Sequence, residues 1–251
     1  MASRLAIVTG GSRGVGAATA RRLAREGWNV LVTYHSDKYA AREVVADCVA
    51  AGVWASAVRA DVADEAQVDA LYDGLPAEAE AGPLRALVNN AGIVAPASDV
   101  ADMGADRIRR TLDVNVVGTL LCARNAVRVM ATGRGGAGGA IVNVSSRAAV
   151  LGSAHEYVDY AAAKAAVDAV TTGLAVEAAV DGIRVNSVRL GLMATEIHAR
   201  NGAPDRLDRL APSVPLGRAG TVEEAAAAIC WLVGEEASYT TGAHLDVAGG
   251  R

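Results

Sequence analysis

The sequence has 251 residues, of which 52% are hydrophobic, and its formal net charge at pH 7 is −4. This composition predicts a globular chain with a well-buried core and excludes a disordered one. No apolar run is long enough to span a bilayer, and neither the acidic balance nor the 4% aromatic content favours a nucleic-acid partner.

The N-terminal segment and the cysteines predict a cytoplasmic protein. "MASRLAIVTGG" runs straight into a strand-like segment and lacks the length and cleavage region of a signal peptide. Cys48, Cys122 and Cys230 are far apart, odd in number and without metal-ligand spacing. We therefore expect three reduced core thiols and no metal site.

Short apolar runs alternate with longer amphipathic runs along the whole chain. The predicted strands cover residues 4–9, 29–34, 54–58, 85–92, 138–146, 183–188 and 244–250. The predicted helices cover residues 15–27, 38–51, a segment capped by Asp64 and Gln67, 105–131, 157–180 and 222–233. Because apolar strands alternate with helices, we expect a doubly wound, seven-stranded parallel sheet in a single α/β domain spanning residues 1–251.

A glycine-rich turn, "TGGSRGVG" at residues 9–16, follows the first strand and opens the first helix. Gly10 permits the tight turn, Gly14 lets the backbone approach a pyrophosphate, and Gly16 lets the helix pack closely on the strand. The helix N-terminus presents free N–H groups and the positive end of its dipole to phosphates. The strand–turn–helix context predicts a dinucleotide site, with a plain tight turn as the alternative.

Tyr160 and Lys164 lie four residues apart in "DYAAAKAAV" and therefore share one helix face. A nearby ammonium favours the phenolate and lowers the pKa of a phenol. Such a tyrosine can give a proton to a carbonyl oxygen or take one from an alcohol, while a nicotinamide supplies the hydride. Tyr157 has no lysine one turn on, and Tyr34, although Lys38 follows four residues later, ends a predicted strand and does not lie on a helix. Tyr160 is therefore the predicted acid/base. An ordinary surface helix is the alternative.

Two polar residues accompany this pair. Ser146 ends the fifth predicted strand fourteen residues before Tyr160, and its hydroxyl is suited to bonding the substrate oxygen and stabilising charge there. Ser145 is the fallback, although strand alternation points it to the opposite face; a serine pair capping the strand end is the other interpretation. Asn115 lies in the apolar helix "LDVNVVGTLLC", where an asparagine is unfavourable and needs partners.

Together with "NNAG" (89–92), "NVSS" (143–146) and the Gly-x-x-x-Gly-x-Gly spacing of the glycine turn, these residues resemble the short-chain dehydrogenase/reductase family. The resemblance extends from Thr9 to the C-terminus, and the motifs come in the order and spacing of that family. "GSAHEYVDYAAAKAAVD" and "LDVAGG" resemble a bacterial branch labelled glucose-1-dehydrogenase-like. The resemblance implies a Rossmann-like fold and an oxidoreductase that uses a nicotinamide cofactor on a small carbonyl or alcohol substrate.

The resemblance also implies roles for individual residues. The implied catalytic residues are Asn115, Ser146, Tyr160 and Lys164, and the implied cofactor-binding residues are Gly10, Ser12, Arg13, Gly14, Val15, Gly16, Tyr34, His35, Ser36, Asp61, Val62, Asn89, Ala91, Gly92, Tyr160, Lys164, Gly191, Met193 and Thr195. Lys164 would also bond the nicotinamide ribose. The backbone carbonyl of Asn115 would hold a water that leads to Lys164, unless Asn115 is simply a satisfied buried side chain.

Further contacts follow from the same resemblance. Asp61 would contact the adenine, the turn at 89–92 would line the adenosine ribose, and Met193 with Thr195 would hold the carboxamide. Asparagine and glycine also suit a plain strand-end turn at 89–92. Leu190 stands where the family has a proline. It adds an N–H group and frees φ, which predicts a looser loop there.

The end of the second strand bears on the choice of dinucleotide. Tyr34 stands where an NAD enzyme of the family places an acid, and Arg13 is suited to pairing with a 2′-phosphate. His35 and Ser36 add donors, so NADP is the predicted cofactor. NAD stays open, because Asp37 becomes the NAD-type carboxylate if the strand end is shifted. A solvated Arg13 is the plain alternative.

The resemblance implies a substrate lid at residues 192–214, with Gly202 and Pro204 as hinges. His155, Glu156 and His198 at the pocket mouth favour a polar substrate, unless they are solvated loop residues. Sugar, oxo-acid, ketosteroid and acyl-thioester substrates all stay open.

Family members commonly form homotetramers, and here the helices at 105–131 and 157–180 would pair across one interface. The competing function is an NAD(P)-binding redox sensor without catalysis. The complete set of Asn115, Ser146, Tyr160 and Lys164 argues against it.

Overall fold

The centre of the structure is a sheet of seven strands, each parallel to its neighbours. The computed structural model describes residues 3–195 and 206–251. The strands are β1 (Leu5–Val8), β2 (Asn29–Tyr34), β3 (Ala55–Arg59), β4 (Leu84–Asn89), β5 (Gly139–Ser146), β6 (Ile183–Leu190) and β7 (His244–Val247). Their order is β3-β2-β1-β4-β5-β6-β7, so the winding reverses between β1 and β4. The predicted doubly wound, seven-stranded parallel sheet is confirmed.

Helices cover both faces of this sheet. They are α1 (Gly14–Arg25), α2 (Lys38–Ala50), α3 (Glu65–Asp73), α4 (Glu78–Ala81), α5 (Ala105–Leu112), α6 (Gly118–Met130), α7 (Ala148–Leu151), α8 (Val158–Glu177), α9 (Arg206–Leu210) and α10 (Val222–Val233). A π-helical turn, Asp113–Val117, joins α5 directly to α6. No helix within residues 3–195 and 206–251 is both long and apolar enough to cross a membrane.

The side chains of each strand alternate between two hydrophobic clusters. In β1, Ala6 and Val8 join the cluster that includes α1, α2 and α10. Leu5 and Ile7 join the cluster on the other face, which includes α3, α6 and α8. All four side chains are fully buried. Because helices cover both faces, the strands are apolar at successive positions, which is the pattern seen in the sequence.

The boundaries of several elements differ from the prediction. The helix predicted at 105–131 is interrupted by the π-helical turn, and β6 extends to Leu190, beyond the predicted end at 188. The predicted capping box is only half formed: Asp64 Oδ1 accepts the Gln67 N–H at 3.2 Å, but Gln67 Oε1 accepts the N–H of Asp61. The reciprocal box lies instead at the start of α10, where Thr221 and Glu224 cap each other.

The carboxyl ends of the parallel strands meet at one edge of the sheet. The glycine turn follows β1, the "NNAG" turn follows β4, Ser146 ends β5, and Leu190 ends β6. Ligands of open α/β sheets bind at this edge, where the winding reverses. The fold therefore gathers segments that are distant in the sequence into one place.

Candidate active site

A cleft of about 1650 Å³ opens at the carboxyl edge of the sheet. Most of the predicted site residues line it: Gly10, Ser12, Arg13, Gly14, Val15, Tyr34, His35, Ser36, Asp61, Val62, Ala91, Gly92, Ser146, Tyr160, Lys164, Gly191, Met193 and Thr195. Three predicted residues, Gly16, Asn89 and Asn115, are not among the lining residues. The cleft therefore connects the glycine turn at one end with Tyr160 at the other.

The glycine turn is shaped by close backbone contacts. Gly10 has φ +61°, and a Cβ atom there would lie 2.9 Å from the Cα atom of Ala91. Gly14 has φ +54°, which side chains rarely tolerate. A Cβ atom on Gly16 would collide with the side-chain amide of Asn90 and the carbonyl oxygen of Gly10. The close packing expected for Gly16 is thus made with the turn and Asn90.

The N-terminus of α1 faces the cleft without a side-chain cap. Arg13 is the N-cap residue, and its side chain does not bond the first N–H groups of the helix. Its guanidinium turns toward the end of β2, where Nη1 lies 3.5 Å from Asp37 Oδ2. Asp37 also accepts the N–H of Ala40 and so caps α2. The free N–H groups of α1 form an anion site, and Asp37 competes for the predicted phosphate partner.

Asp61 is held in place beside the cleft. Its Oδ1 accepts the N–H of Ala63 at 3.0 Å, and its Oδ2 accepts a hydrogen bond from Arg110 Nη2 at 2.8 Å. Burial alone would raise the pKa of Asp61, but these two donors hold it below its ordinary value. His35 Nε2 lies 3.7 Å from the same carboxylate. Arg110 lines the cleft as well and was not predicted from the sequence.

The two asparagines of "NNAG" have different positions. Asn89 is the last residue of β4, and its buried Nδ2 donates to Asn143 Oδ1 at 2.9 Å behind the cleft wall. Its neighbour Asn90 lines the cleft, and Asn90 Nδ2 donates to the carbonyl oxygens of Thr9 and Gly10 at 2.9 and 3.0 Å. The Asn89 side chain therefore points away from the cleft, because strand alternation continues through Asn89, and its predicted place on the adenosine ribose side stays a prediction.

Ser146 and Tyr160 are hydrogen-bonded to each other. Ser146 is the last residue of β5, and its Oγ also accepts the N–H of Ala148 at 3.1 Å. Ser145 is buried, and its Oγ donates to the carbonyl oxygen of Lys164 at 3.2 Å. Of the two serines, Ser146 therefore presents its hydroxyl to Tyr160, as strand alternation predicted.

Lys164 lies beside Tyr160, with Nζ 5.6 Å from the centre of the phenol ring. Its Nζ donates to the carbonyl oxygen of Val144 at 2.6 Å. Burial raises the pKa of Tyr160 to about 12, against the hydrogen bond from Ser146. Burial also lowers the pKa of Lys164 to about 8, against the charge of Asp168. The expected fall in the pKa of Tyr160 is absent, because the loss of hydration on burial outweighs the hydrogen bond from Ser146.

Asn115 anchors the wall of the cleft from behind. It lies in the π-helical turn, is fully buried, and pairs twice with the backbone of Ile93: Oδ1 accepts at 2.8 Å and Nδ2 donates at 2.9 Å. The backbone carbonyl of Asn115 accepts the hydroxyl of Thr119 at 2.9 Å. A carbonyl oxygen has two lone pairs, so one acceptor position is left on it. Both interpretations of Asn115 are therefore compatible with this geometry.

A buried ion pair fixes the first turn of α8. Asp159, next to Tyr160, receives two hydrogen bonds from Arg107, from Nε at 2.9 Å and Nη2 at 3.2 Å. Arg107 Nη1 donates to the carbonyl oxygen of Pro96 at 2.7 Å, and Asp159 Oδ1 accepts the N–H of Tyr160 at 3.0 Å. This pair ties α5, the loop after β4 and α8 together. This pair was not predicted, since partners far apart in the chain leave no spacing pattern.

The structure describes some of the residues predicted at the substrate end of the cleft. Glu156 lines the cleft, whereas His155 pairs with Asp99 at 2.8 Å on the surface. Leu192–Thr195 and Leu207 of the expected lid line the cleft. His198, Gly202 and Pro204 lie outside the described residues.

Leu190, which stands where the family has a proline, is the buried last residue of β6 and pairs in register with Ser146. The strand therefore reaches this position, and the looser loop expected after it stays a prediction.

Comparison with known proteins decides the family. A crystal structure of a short-chain type dehydrogenase/reductase from Mycobacterium marinum superposes with a TM-score of 0.90 and 33% identity, covering 98% of this chain and 94% of that one. A family model described as Enoyl-(Acyl carrier protein) reductase matches residues 10–251. The chain belongs to the short-chain dehydrogenase/reductase family. It is thus an oxidoreductase from a family that uses NAD(P) with hydroxyl or carbonyl substrates.

Three relatives match over nearly their whole length. The uncharacterised oxidoreductase YgfF of Escherichia coli is 51% identical over 247 residues, covering 98% of this chain and 99% of the relative. 3beta-Hydroxysteroid dehydrogenase 1 of Eggerthella lenta is 40% identical, covering 97% of this chain and 92% of the relative. Glucose 1-dehydrogenase 2 of Bacillus subtilis is 37% identical, covering 100% and 95%. The last supports the predicted glucose-1-dehydrogenase-like resemblance.

Proposed function

We propose that this oxidoreductase transfers a hydride between NADP(H) and a carbonyl or alcohol substrate, with Tyr160 as the general acid/base. One observation carries the proposal: Tyr160 is hydrogen-bonded to Ser146 and faces Lys164 in the cleft that also contains the glycine turn. A proton-transfer group and a site for a dinucleotide therefore share one space, as hydride transfer to a carbonyl requires.

The residues at the glycine turn fit a dinucleotide. Gly10 and Gly14 have positive φ, and the uncapped N-terminus of α1 leaves N–H groups directed at the cleft. These groups would bond the pyrophosphate, and Lys164 would bond the nicotinamide ribose. Met193 and Thr195 would hold the carboxamide. When bound, the nicotinamide supplies or accepts the hydride.

Each residue of the catalytic set has a distinct task in this proposal. Because its pKa is raised to about 12, Tyr160 is protonated at neutral pH and gives its proton to the carbonyl oxygen during reduction. Ser146 bonds the same oxygen and stabilises the charge that develops there. Lys164 favours the deprotonated tyrosine that results, and a water on the Asn115 carbonyl would carry the next proton toward Lys164.

The preference for NADP rests on Arg13. Position 34 is a tyrosine and not an acidic residue, and the Arg13 guanidinium already lies beside the end of β2. Fluorescence titration of the purified protein with NADPH and separately with NADH tests this. We expect tighter binding of NADPH. Tighter binding of NADH would move the specificity role to Asp37 or Tyr34, and binding of neither would overturn the proposed function.

For the substrate we propose a hydroxyl group on a carbon of a six-membered ring, or the matching carbonyl compound. The names of two relatives describe such hydroxyls: position 3 of a steroid and carbon 1 of glucose. The substrate end of the cleft is lined by Val94, Leu151, Leu192 and Leu207, which suits a ring. The test compares the rate of NADP⁺ reduction with cyclohexanol, glucose and a 3β-hydroxysteroid with the rate measured with open-chain alcohols.

Turnover of the open-chain alcohols alone would overturn the ring proposal. Cofactor binding without turnover of any alcohol would favour the redox sensor.

We also propose a single domain over residues 1–251 with a lid at 192–214, and a cytoplasmic homotetramer. Leu112, Val117, Leu120 and Val176 are exposed on and beside the long helices expected to pair. Exposed apolar side chains on neighbouring turns favour an interface between copies. Light scattering during size-exclusion chromatography measures the assembly, and a monomeric mass at assay concentration contradicts the homotetramer.

A further inference from the structure

The ammonium group of Lys164 is buried, and no carboxylate of the described residues lies against it. Lys164 is 5% exposed, and its Nζ donates to the backbone oxygen of Val144. Within residues 3–195 and 206–251, no acidic group forms an ion pair with it. A buried charge that has no anion nearby tends to lose its proton, since the charged form is poorly solvated. The proposed role of Lys164 needs the charged form.

Asp168 lies one turn further along α8 than Lys164. Residues four apart on a helix lie on the same face, so the carboxylate and the ammonium project from neighbouring turns. Asp168 is itself buried, at 8% exposed. Its charge opposes the effect of burial on the pKa of Lys164.

Groups on β6 and β7 hold the Asp168 carboxylate. Arg189 Nε donates to Oδ2 at 2.7 Å, and the Ser187 hydroxyl donates to Oδ1 at 3.3 Å. His244 Nδ1 lies 3.6 Å from Oδ1 and 2.6 Å from the Ser187 hydroxyl. Asp246 lies 4.0 Å from Arg189. Asp168 therefore pairs directly with Arg189 on the sheet, while its charge also acts on Lys164 one turn away on its own helix.

We propose that Asp168 is the counter-ion that keeps Lys164 charged, and that Arg189 sets how strongly it does so. Asp168 is a positioning residue in this scheme, because it acts through Lys164 and does not line the cleft. The opposing influence of Arg189 follows from its contact with the same carboxylate. The part of this inference that concerns turnover rests on the proposed function, whereas the part that concerns the charge of Lys164 does not.

The composition of the chain allows a direct test. The sequence contains only two lysines, Lys38 and Lys164. Protein labelled with ¹³C and ¹⁵N lysine therefore gives two side-chain titration curves by NMR, and Lys38 serves as the internal reference. Asp168→Asn removes the negative charge and keeps the shape of the side chain. We expect the titration midpoint of Lys164 to fall by about one pH unit or more.

The second variant has the opposite expected sign. Arg189→Gln removes the competing cation and keeps an N–H donor for Asp168, so the midpoint of Lys164 should rise. General loosening of the core lets water reach Lys164, so it would raise the Lys164 midpoint of both variants toward the ordinary lysine value. A midpoint that is unchanged in both variants, or that rises in both, overturns the proposal. If Asp168→Asn does not fold, Arg189→Gln is compared with Arg189→Lys, which keeps the cation. A midpoint that rises equally in these two variants overturns the proposal.

Two controls isolate the effect. Asp246→Asn removes a carboxylate from the same cluster that contacts Arg189 but not Asp168, and it should shift the midpoint much less than Asp168→Asn. His244→Gln, used as a background for all variants, removes the only histidine seen beside Asp168 in the described residues. A shift in Asp246→Asn as large as in Asp168→Asn contradicts a specific role for Asp168.

Activity gives an independent readout. The ratio of turnover by Asp168→Asn to turnover by the unaltered protein should fall as the pH rises, because the variant loses the Lys164 charge at lower pH. A merely structural defect lowers turnover by the same factor at every pH. If no substrate is turned over, the proposed function fails, while the NMR titration still tests the charge of Lys164.

Discussion

The two ends of the cleft are built differently. At the proton-transfer end, Lys164 and Asn115 are buried and bonded to backbone groups of β5 and of the loop after β4. At the end near β2, Arg13 and Asp37 form a 3.5 Å ion pair with side chains 38% and 34% exposed. A buried polar group is costly to leave unpaired, whereas an exposed ion pair is worth little. The chemistry should therefore be rigidly determined and the cofactor preference readily altered.

The largest effect is expected at Tyr160, at the buried proton-transfer end of the cleft. Tyr160→Phe should lower turnover by about 10²–10⁴-fold, because only the proton donor is removed. The affinity for NADPH, measured by fluorescence titration, should stay nearly the same. Tyr239→Phe, at a fully exposed tyrosine, is the control. Turnover that survives in Tyr160→Phe would show that the proton comes from another group.

The ion pair beneath Tyr160 should be the next most sensitive feature. Arg107→Gln leaves the buried Asp159 carboxylate without its guanidinium and should lower the free energy of unfolding by about 3 kcal/mol. Arg109→Gln on the same helix breaks an ion pair whose arginine is 72% exposed, and should cost less than about 0.5 kcal/mol. Denaturant unfolding measures both variants. Equal losses would contradict the difference between buried and exposed pairs.

The charge of Lys164 should also appear in the pH dependence of stability. Its pKa is about 8 in the folded protein, below the ordinary 10.5. Between these values the unfolded chain binds more protons, so this group makes stability rise with pH across that window. The total gain is about 3 kcal/mol.

A methionine at this position removes that titration. Stability of the unaltered protein relative to Lys164→Met should therefore increase as the pH goes from about 8 to 10.5. Unfolding curves at several pH values measure this difference. A difference independent of pH would mean that Lys164 is not destabilised by burial.

The smallest expected effect lies at the exposed end. Arg13→Gln should reduce the preference for NADPH over NADH by about tenfold, equivalent to about 1.4 kcal/mol, through the loss of one charge-assisted contact. Asp37→Asn should change the preference in the opposite direction, because it removes the carboxylate that competes for Arg13. Dissociation constants for both cofactors measure the two shifts. Shifts of the same sign would remove Arg13 from the specificity role.

Local patterns predicted most of the fold. The bounds of β2 and α10 agree with the prediction at both ends, since turns and caps are local signals. The π-helical turn at Asn115 was not predicted, because a single inserted residue barely alters the hydrophobic period. The pairing of Asn89 with Asn143 behind the cleft wall was not predicted, because the two residues lie on different strands and no local spacing links them.

The sequence by itself determined the order of strands and helices, the glycine turn and the shared helix face of Tyr160 and Lys164. These depend on residues close in the chain, where period and turn chemistry act. Only the tertiary structure decided that Arg107 holds Asp159, that Arg189 holds Asp168, and that burial dominates the pKa of Tyr160. Ion pairing and hydration depend on which distant segments pack together, and no local spacing records that.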